Sequence, residues 1–151
     1  MNAEELNFND SSFDHIIGSF VLHHTDVQKT GKGIKRALKP GGKGIFIETS
    51  GRNQLLMWAR STIVGRMGIP KYGTKTESPL SPDEILNLKM IFAGENFSHY
   101  PTLIFFRMAA GYLKLLSGRR GSAILSWMDQ AGELFKPLKK YSYYMILKVR
   151  K

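Results

Sequence analysis

The stretch FDHIIGSFVLHHTD, residues 13–26, decides the fold, because it joins a continuous apolar run to a polar end with two neighbouring histidines. The run over residues 13–22 has the length of a strand, is rich in β-branched residues and contains no proline. Runs of this kind are typical of strands covered on both faces, as in a parallel sheet. We therefore predict a buried parallel strand that ends at His23 and His24.

A helix is predicted directly after this stretch. Asp26 is a residue type that caps helix N-termini well, because its side-chain oxygen accepts hydrogen bonds from the first backbone amides. Over residues 27–38 the apolar side chains share one side, although Gly31 and Gly33 lower the helix propensity. The shared side consists of Val27, Ile34, Ala37 and Leu38.

A second strand follows the helix. The turn-forming sequence KPGG, residues 39–42, ends the helix, and KGIFIE, residues 43–48, predicts a short buried strand. Strand, helix and strand in this order predict a right-handed βαβ unit with parallel strands. Glu48 closes the second strand, where it could face a ligand pocket or cap the following turn, and we favour capping.

Beyond Glu48 the pattern is mostly helical. Ser81 and Glu84 have the spacing of a capping box, with Pro82 between them at the first helical position. The sequence YSYYMILKVR, residues 141–150, predicts a final strand.

Composition restricts the class of protein. A chain of 151 residues makes one domain at most, or a piece of a larger one, and its 42% apolar content suits a globular core. The acidic, polar start MNAEELNFND lacks the order of a signal peptide, which favours a soluble cytoplasmic protein. The chain has no cysteine, so disulfides, thiolate metal sites and cysteine nucleophiles are excluded.

The net charge of +10 is concentrated near the end of the sequence. From Lys114 onward there are nine Lys and Arg residues against two acids. Such a basic region attracts the phosphates of nucleic acids or membrane surfaces, or it forms a solvated face that keeps the protein soluble. Nucleic acid is disfavoured, because the basic residues are not interleaved with an aromatic stacking platform.

Four segments of the sequence resemble successive motifs of class I S-adenosylmethionine-dependent methyltransferases of the type 11 family. They are NAEEL at residues 2–6, FNDSSFDHII at 8–17, LHH at 22–24 and LKPGGKGIFIE at 38–48. The final YSYYMILKVRK is similar to the closing antiparallel strand of that family. The resemblance implies an α/β chain, the C-terminal half of a Rossmann-like sheet with parallel strands, a closing antiparallel strand and an inserted helical lid.

The same resemblance implies the domain organisation. Residues 1–151 would form a single partial methyltransferase domain. Residues 1–50 would carry the core motifs of the sheet, residues 51–138 a mostly helical lid, and residues 139–151 the closing strand.

The resemblance also implies site residues and a cofactor, S-adenosylmethionine. Asn2, Ala3 and Glu4 would lie near its adenine, with Asn2 where the family usually has Asp. Ser19 and Phe20 would also bind the cofactor, in the crevice beyond the carboxyl ends of the strands, where ligands bind in such sheets.

The histidine pair has two open interpretations. Because imidazole titrates near neutrality, His23 or His24 could be the base that takes a proton from the methyl acceptor, or both could only shape the pocket. Neighbours on an extended chain point to opposite sides, so we do not expect them to chelate one metal ion, and we predict no metal site.

Two features of the family pattern are missing. The chain lacks the Gly-rich cofactor loop and the acid that holds the ribose, so we expect a truncated enzyme that binds the cofactor poorly by itself. In the family sheet the first strand lies beside the strand at residues 13–22, which would here become an exposed edge that favours self-association. At this edge we expect Ile17 to face a layer of helices.

The predicted lid suggests an acceptor and a partner. Its large apolar residues fall at helical spacings, which indicates packing residues. The alternative is that its helices, flanked by Arg and Lys, lie on a membrane or cover an apolar, lipid-like acceptor. A small-molecule or lipid-like acceptor is therefore expected, and a non-catalytic remnant or basic binding module is the second interpretation. The large apolar residues of the predicted lid are Met108, Tyr112, Trp127 and Met128.

Overall fold

A computed structural model describes residues 2–62, 64–65, 78–93, 97–102, 106–107, 110, 119–135, 137, 139 and 142–151. Its strands are β1 (Phe13–Ser19), β2 (Leu38–Thr49), β3 (Phe97–Thr102) and β4 (Tyr144–Arg150), and its helices are α1 (Val27–Ala37), α2 (Gln54–Thr62), α3 (Pro82–Ile91) and α4 (Arg119–Leu134). A short 3₁₀ turn, Leu22–His24, follows β1. The α/β fold predicted from the sequence is confirmed.

The strands form one mixed sheet in the order β1-β2-β4-β3. β1 and β2 are parallel and are joined through α1, which confirms the βαβ prediction. Hydrogen bonds join the backbone of Gly41 and Gly42 to that of Lys151, so the start of β2 lies beside the end of β4 and these two strands run antiparallel. The closing antiparallel strand is therefore confirmed.

Contacts divide the chain into two compact units. The first consists of Met1–Ser50, Glu77–Tyr100 and Met145–Lys151, and it contains β1, β2, α1 and α3. The second consists of Gly51–Thr76 and Pro101–Tyr144, and it contains α2 and α4.

The core of the first unit lies on one face of the sheet. The side of α1 that the sequence predicted is buried, and α1 ends one residue earlier than predicted. The capping box before α3 is formed, since Ser81 and Glu84 exchange side-chain to backbone hydrogen bonds. The buried apolar residues include Leu22, Val27, Ile34, Leu38, Phe46, Leu88, Met145, Leu147 and Val149.

Two glycines let an aromatic ring pack flat against the sheet. Phe46 on β2 is buried and lies beside Gly18 of β1 in the strand register. A Cβ atom on Gly18 would lie 2.5 Å from the ring of Phe46, and one on Gly44 would lie 2.9 Å from it. The ring therefore occupies the space that side chains at both positions would need.

The other face of the β1–β2 pair is open, and the prediction of a strand covered on both faces is wrong. Ile17 is 81% exposed, and its register partner Ile45 is 40% exposed. Ile47 is exposed on the same face. A parallel sheet normally has both faces covered, so in the part of the chain that the structure describes this face is an uncovered apolar surface of the first unit. The expectation that Ile17 faces a helix layer is likewise wrong.

Among the described residues, no helix has the length and apolar content that crossing a membrane requires.

Candidate functional site

A buried carboxylate organises the carboxyl ends of the two parallel strands. Glu48, near the end of β2, is completely buried. Its Oε1 accepts hydrogen bonds from the backbone N–H of Val21 at 2.9 Å and of Leu22 at 2.8 Å. Our interpretation of Glu48 as a cap for the turn after β2 is therefore wrong, because it anchors the turn after β1.

The second oxygen of the same carboxylate holds a histidine. Nδ1 of His23 lies 2.7 Å from Oε2 of Glu48, and the His23 side chain is only 10% exposed. An ionised carboxylate can only accept hydrogen bonds, so Nδ1 carries the proton in the neutral ring. Nε2 of His23 is then left with a lone pair. A histidine that acts as a general base is often held in this way: a carboxylate binds one ring nitrogen, and the other ring nitrogen is free to accept a proton.

The two histidines lie side by side instead of on opposite sides of the chain. Their ring centroids are 4.0 Å apart, because the residues belong to the 3₁₀ turn and not to an extended strand. The geometric reason for which we expected no shared metal ion is therefore wrong. His24 is exposed, and the described part of the chain has no cluster of three residues of metal-ligand type.

Phe20 adopts a strained backbone conformation at this strand end. Its φ of 53° lies in the left-handed region, which costs a residue with a side chain roughly 1–2 kcal/mol. Its N–H donates to the carbonyl of Ile47 at 2.8 Å, and the two amides that follow donate to Glu48. These three hydrogen bonds fix the conformation. Phe20 and the neighbouring Ser19 are both exposed.

The N-terminal segment is tied to the start of α1. Oε1 of Glu4 accepts a hydrogen bond from the N–H of Asp26 at 2.8 Å, and Oδ1 of Asn2 accepts one from the N–H of Glu4 at 3.1 Å. Asp26 itself caps α1 by accepting from the amides of Gln28 and Lys29, as predicted. Asn2, Ala3 and Glu4 therefore lie beside the N-terminus of α1.

Sequence reasoning missed Arg36 on α1. Nη1 of this side chain donates to the carbonyl of Phe8 and to Oδ1 of Asp10, both at 2.6 Å, and Nη2 donates to the carbonyl of Leu6. The guanidinium therefore holds the whole segment between the Asn2 turn and β1. Its three acceptors lie 26 to 30 residues away in the sequence, so no local pattern predicts these contacts.

Comparison with known proteins agrees with the fold. Residues 1–46 match the family model described as Methyltransferase domain. No curated protein matched the chain.

Solved structures with this methyltransferase fold cover the chain from end to end. A SAM-dependent methyltransferase from Thermotoga maritima, described as a possible histamine N-methyltransferase, is 15% identical, with a TM-score of 0.56 over 99% of this chain and 61% of its own. An S-adenosylmethionine-dependent methyltransferase from Mesorhizobium loti is 18% identical, with a TM-score of 0.54 over 100% of this chain and 67% of its own.

The fold alone does not fix the reaction. The cyclase SpnF is 18% identical to this chain, with a TM-score of 0.53 over 100% of this chain and 54% of its own. The chain spans between about half and two thirds of the length of these structures. Function has to be argued from the site.

Proposed function

We propose that this chain is part of a cytoplasmic S-adenosylmethionine-dependent methyltransferase that acts on a small-molecule or lipid-like acceptor. The observation that carries the proposal is the hydrogen bond between His23 and the buried Glu48. It lies at the carboxyl ends of two parallel strands, which is where ligands bind in open α/β sheets. The match of residues 1–46 to a methyltransferase domain supports the choice of cofactor.

The residues at the start of the chain fit the adenine end of the cofactor. In the described part of the chain no hydrogen bond engages the N–H of Ala3, so this donor can serve an adenine ring nitrogen. Asn2 keeps one lone pair on Oδ1 beside its bond to Glu4, which suits the adenine amino group. The carboxylate of Glu4 is engaged by the N–H of Asp26, so we propose that Glu4 positions the segment instead of contacting the cofactor.

The chemistry of the site follows from His23. The cofactor supplies a methyl group on a sulfonium sulfur, and transfer requires an acceptor lone pair in line with that methyl group. Where the acceptor carries a proton, Nε2 of His23 takes it while Nδ1–H stays bonded to Glu48. Ser19 and Phe20, exposed at the strand end, line the side of the crevice that takes the cofactor. His24 shapes the wall of the site through the contact of its ring with that of His23.

A non-catalytic binding module is the second candidate. The observation in its favour is that neither of the described turns leading from a strand into a helix, residues 20–26 and 50–53, is rich in glycine. Such turns normally supply backbone donors to this kind of cofactor. An in-frame Gly-rich loop in the coding sequence ahead of Met1 would favour the enzyme, and its absence would favour the binding module.

Amide NMR of the chain during titration with S-adenosylhomocysteine tests the proposal. We expect the amide signals of Ala3, Phe20 and Val21 to shift. The dissociation constant should be well above about 10 μM, because the residues proposed to contact the cofactor include neither a Gly-rich turn nor an acid that binds the ribose. Guanosine is the control, since its purine edge presents the opposite donor pattern. No shift at these amides at millimolar ligand would refute the assignment. A constant below about 10 μM would refute the expectation of weak binding.

A further inference from the structure

The helix α4 of the second unit has an unusual distribution of side chains. Asp129 marks the side of the helix that faces the interior of its unit, because it is only 1% exposed. The carboxylate of Asp129 accepts hydrogen bonds from the N–H of Phe106 and from Nε of Arg107, both at 2.9 Å. Leu125, Met128 and Gly132 lie on the same side and are half-buried or buried. The orientation of α4 within its unit is therefore defined.

The outward side of α4 is apolar where a solvated helix would be polar. Trp127 is 68% exposed, Ile124 is 52% exposed and Leu134 is 82% exposed. These residues recur at helical spacing on the side opposite Asp129, and Phe135 directly after the helix is 63% exposed. The interpretation of Trp127 as a packing residue is therefore wrong. Met128 is half-buried, whereas Met108 and Tyr112 lie outside the described residues.

Basic residues flank α4 on both sides in the sequence. Arg119 and Arg120 begin α4, and Lys136, Lys139 and Lys140 follow its end in the sequence. In the sequence between these two groups the only acids are Glu133 and Asp129, and Asp129 is buried. A 16-residue helix is about 24 Å long, so Arg119 at its start lies roughly that far from Leu134 at its end.

We propose that the stripe of Ile124, Trp127, Leu134 and Phe135 is a docking surface for an anionic lipid membrane. An amphipathic helix with an apolar face and Lys or Arg at its borders lies in the plane of the lipid interface. The indole of Trp127 suits the headgroup level, and each basic residue near the surface gains attraction from anionic headgroups. The inference rests on α4 alone and stands whether or not the chain transfers methyl groups.

A second copy of the chain fits the stripe less well than lipid does. Each copy carries a net charge of +10, and basic residues flank α4 on both sides in the sequence. Two such surfaces brought together would place like charges against each other, which opposes association at moderate salt. An anionic bilayer complements the same charges.

Vesicle sedimentation tests the proposal with the full chain. We expect co-sedimentation with phosphatidylcholine vesicles that contain about one third phosphatidylserine, weak binding to pure phosphatidylcholine, and loss of binding as salt rises to about 0.5 M. The double variant I124Q/W127Q should bind at least about tenfold more weakly. Leu86→Gln is the matched control, because Leu86 is 53% exposed on α3 and should leave binding unchanged.

Tryptophan fluorescence provides a second readout that does not depend on a disruptive variant. The chain has two tryptophans, so Trp58→Phe leaves Trp127 as the only indole. With anionic vesicles its emission should shift to the blue and be quenched by brominated acyl chains. Vesicle binding without quenching would mean that another surface binds lipid and would overturn the proposal. The proposal would also be overturned if the protein did not bind vesicles, or if it formed a dimer that the I124Q/W127Q substitutions dissociate.

Discussion

The carboxylate of Glu48 bridges the turn after β1 and the ring of His23. One oxygen accepts from the amides of Val21 and Leu22, and the other lies 2.7 Å from Nδ1 of His23. A side chain on β2 thereby sets both the backbone of the turn and the tautomer of the histidine.

Glu48→Gln should disturb the backbone and the tautomer together. Gln can still accept from the backbone amides through one oxygen, but its NH₂ group then faces His23 and donates to Nδ1. The proton of the neutral ring moves to Nε2, which loses its capacity as a base. Unfolding in urea should give a loss of about 1–3 kcal/mol in the free energy of unfolding, because charge-assisted hydrogen bonds are removed.

Long-range ¹H–¹⁵N NMR of the histidine rings checks this prediction. His23 should carry its proton on Nδ1 in the native chain and on Nε2 in the Glu48→Gln variant. The exposed Glu5 is the control, and its replacement by Gln should change neither stability nor the His23 tautomer. An unchanged tautomer in Glu48→Gln would contradict the proposed role of the carboxylate.

Local signals in the sequence predicted the order of the strands and helices and two of the helix caps. The N-cap at Asp26, the capping box from Ser81 to Glu84 and the βαβ order each depend on neighbouring residues, so spacing alone reveals them. The bridge made by Glu48 depends on the register of β1 against β2, which aligns Ser19 with Ile47. No local pattern contains that register, and the role of Glu48 could not be predicted.

The extent of burial was the weak part of sequence reasoning. Ile17 and Trp127 both occupy positions whose pattern predicts packing, yet both are largely exposed. Apolar periodicity identifies a surface that needs covering but does not say whether the same chain covers it. Both errors therefore mark surfaces where a partner can bind.

The two glycines of α1 should respond differently to alanine. A Cβ on Gly31 would meet Ile91 and Leu88 of α3 at 3.0 Å, whereas a Cβ on Gly33 would meet only Leu6 at ordinary contact distances of 3.5 Å or more. Gly33→Ala should raise the free energy of unfolding by about 0.5–1 kcal/mol through helix propensity. Gly31→Ala gains the same propensity but must displace the α3 side chains.

Urea denaturation of both variants tests this comparison, since each serves as the control for the other. Gly31→Ala should be less stable than Gly33→Ala. Equal stabilisation by the two substitutions would show that α1 and α3 are not packed as closely as their contacts indicate.

An ion pair near the start of β1 gives a pH prediction. The hydrogen bond from Nζ of Lys39 to Oδ2 of Asp14, at 2.8 Å, lowers the pKa of the Asp14 carboxyl below its usual value. A lowered pKa in the folded state gives stability that is present above the unfolded pKa of about 3.9 and is lost as pH falls through the folded pKa. Asp14 is fully exposed, so the effect on stability is screened by solvent and small.

NMR titration of the Asp14 carboxyl carbon measures the pKa directly. Its midpoint should rise in Lys39→Gln and stay unchanged in Lys32→Gln, which removes an exposed lysine of α1. The same midpoint in the native chain and in Lys39→Gln would show that the pair does not form in solution.

The last prediction concerns the open edge of the sheet. β1 is the first strand in the order β1-β2-β4-β3, and its one strand neighbour in the described part of the chain is β2. Natural edges are blunted by proline or by charged side chains, and from His15 to Ser19 this strand has no proline, lysine or acid. Its unpaired backbone groups stand beside the exposed face of Ile17 and Ile45. We expect the isolated chain to self-associate at tens of micromolar.

Ile17→Lys tests the edge directly, because Ile17 is 81% exposed and a lysine there places charge on the surface without entering the core. Edge lysines oppose strand pairing between molecules, so the variant should be less associated than the native chain in size-exclusion chromatography with light scattering. Leu86→Lys adds the same charge on α3 and separates this effect from the rise in net charge, since it should leave association unchanged. If the native chain is a stable monomer with cooperative unfolding, the edge is covered within the chain and the prediction is wrong. If both lysine variants reduce association equally, net charge and not β1 governs it.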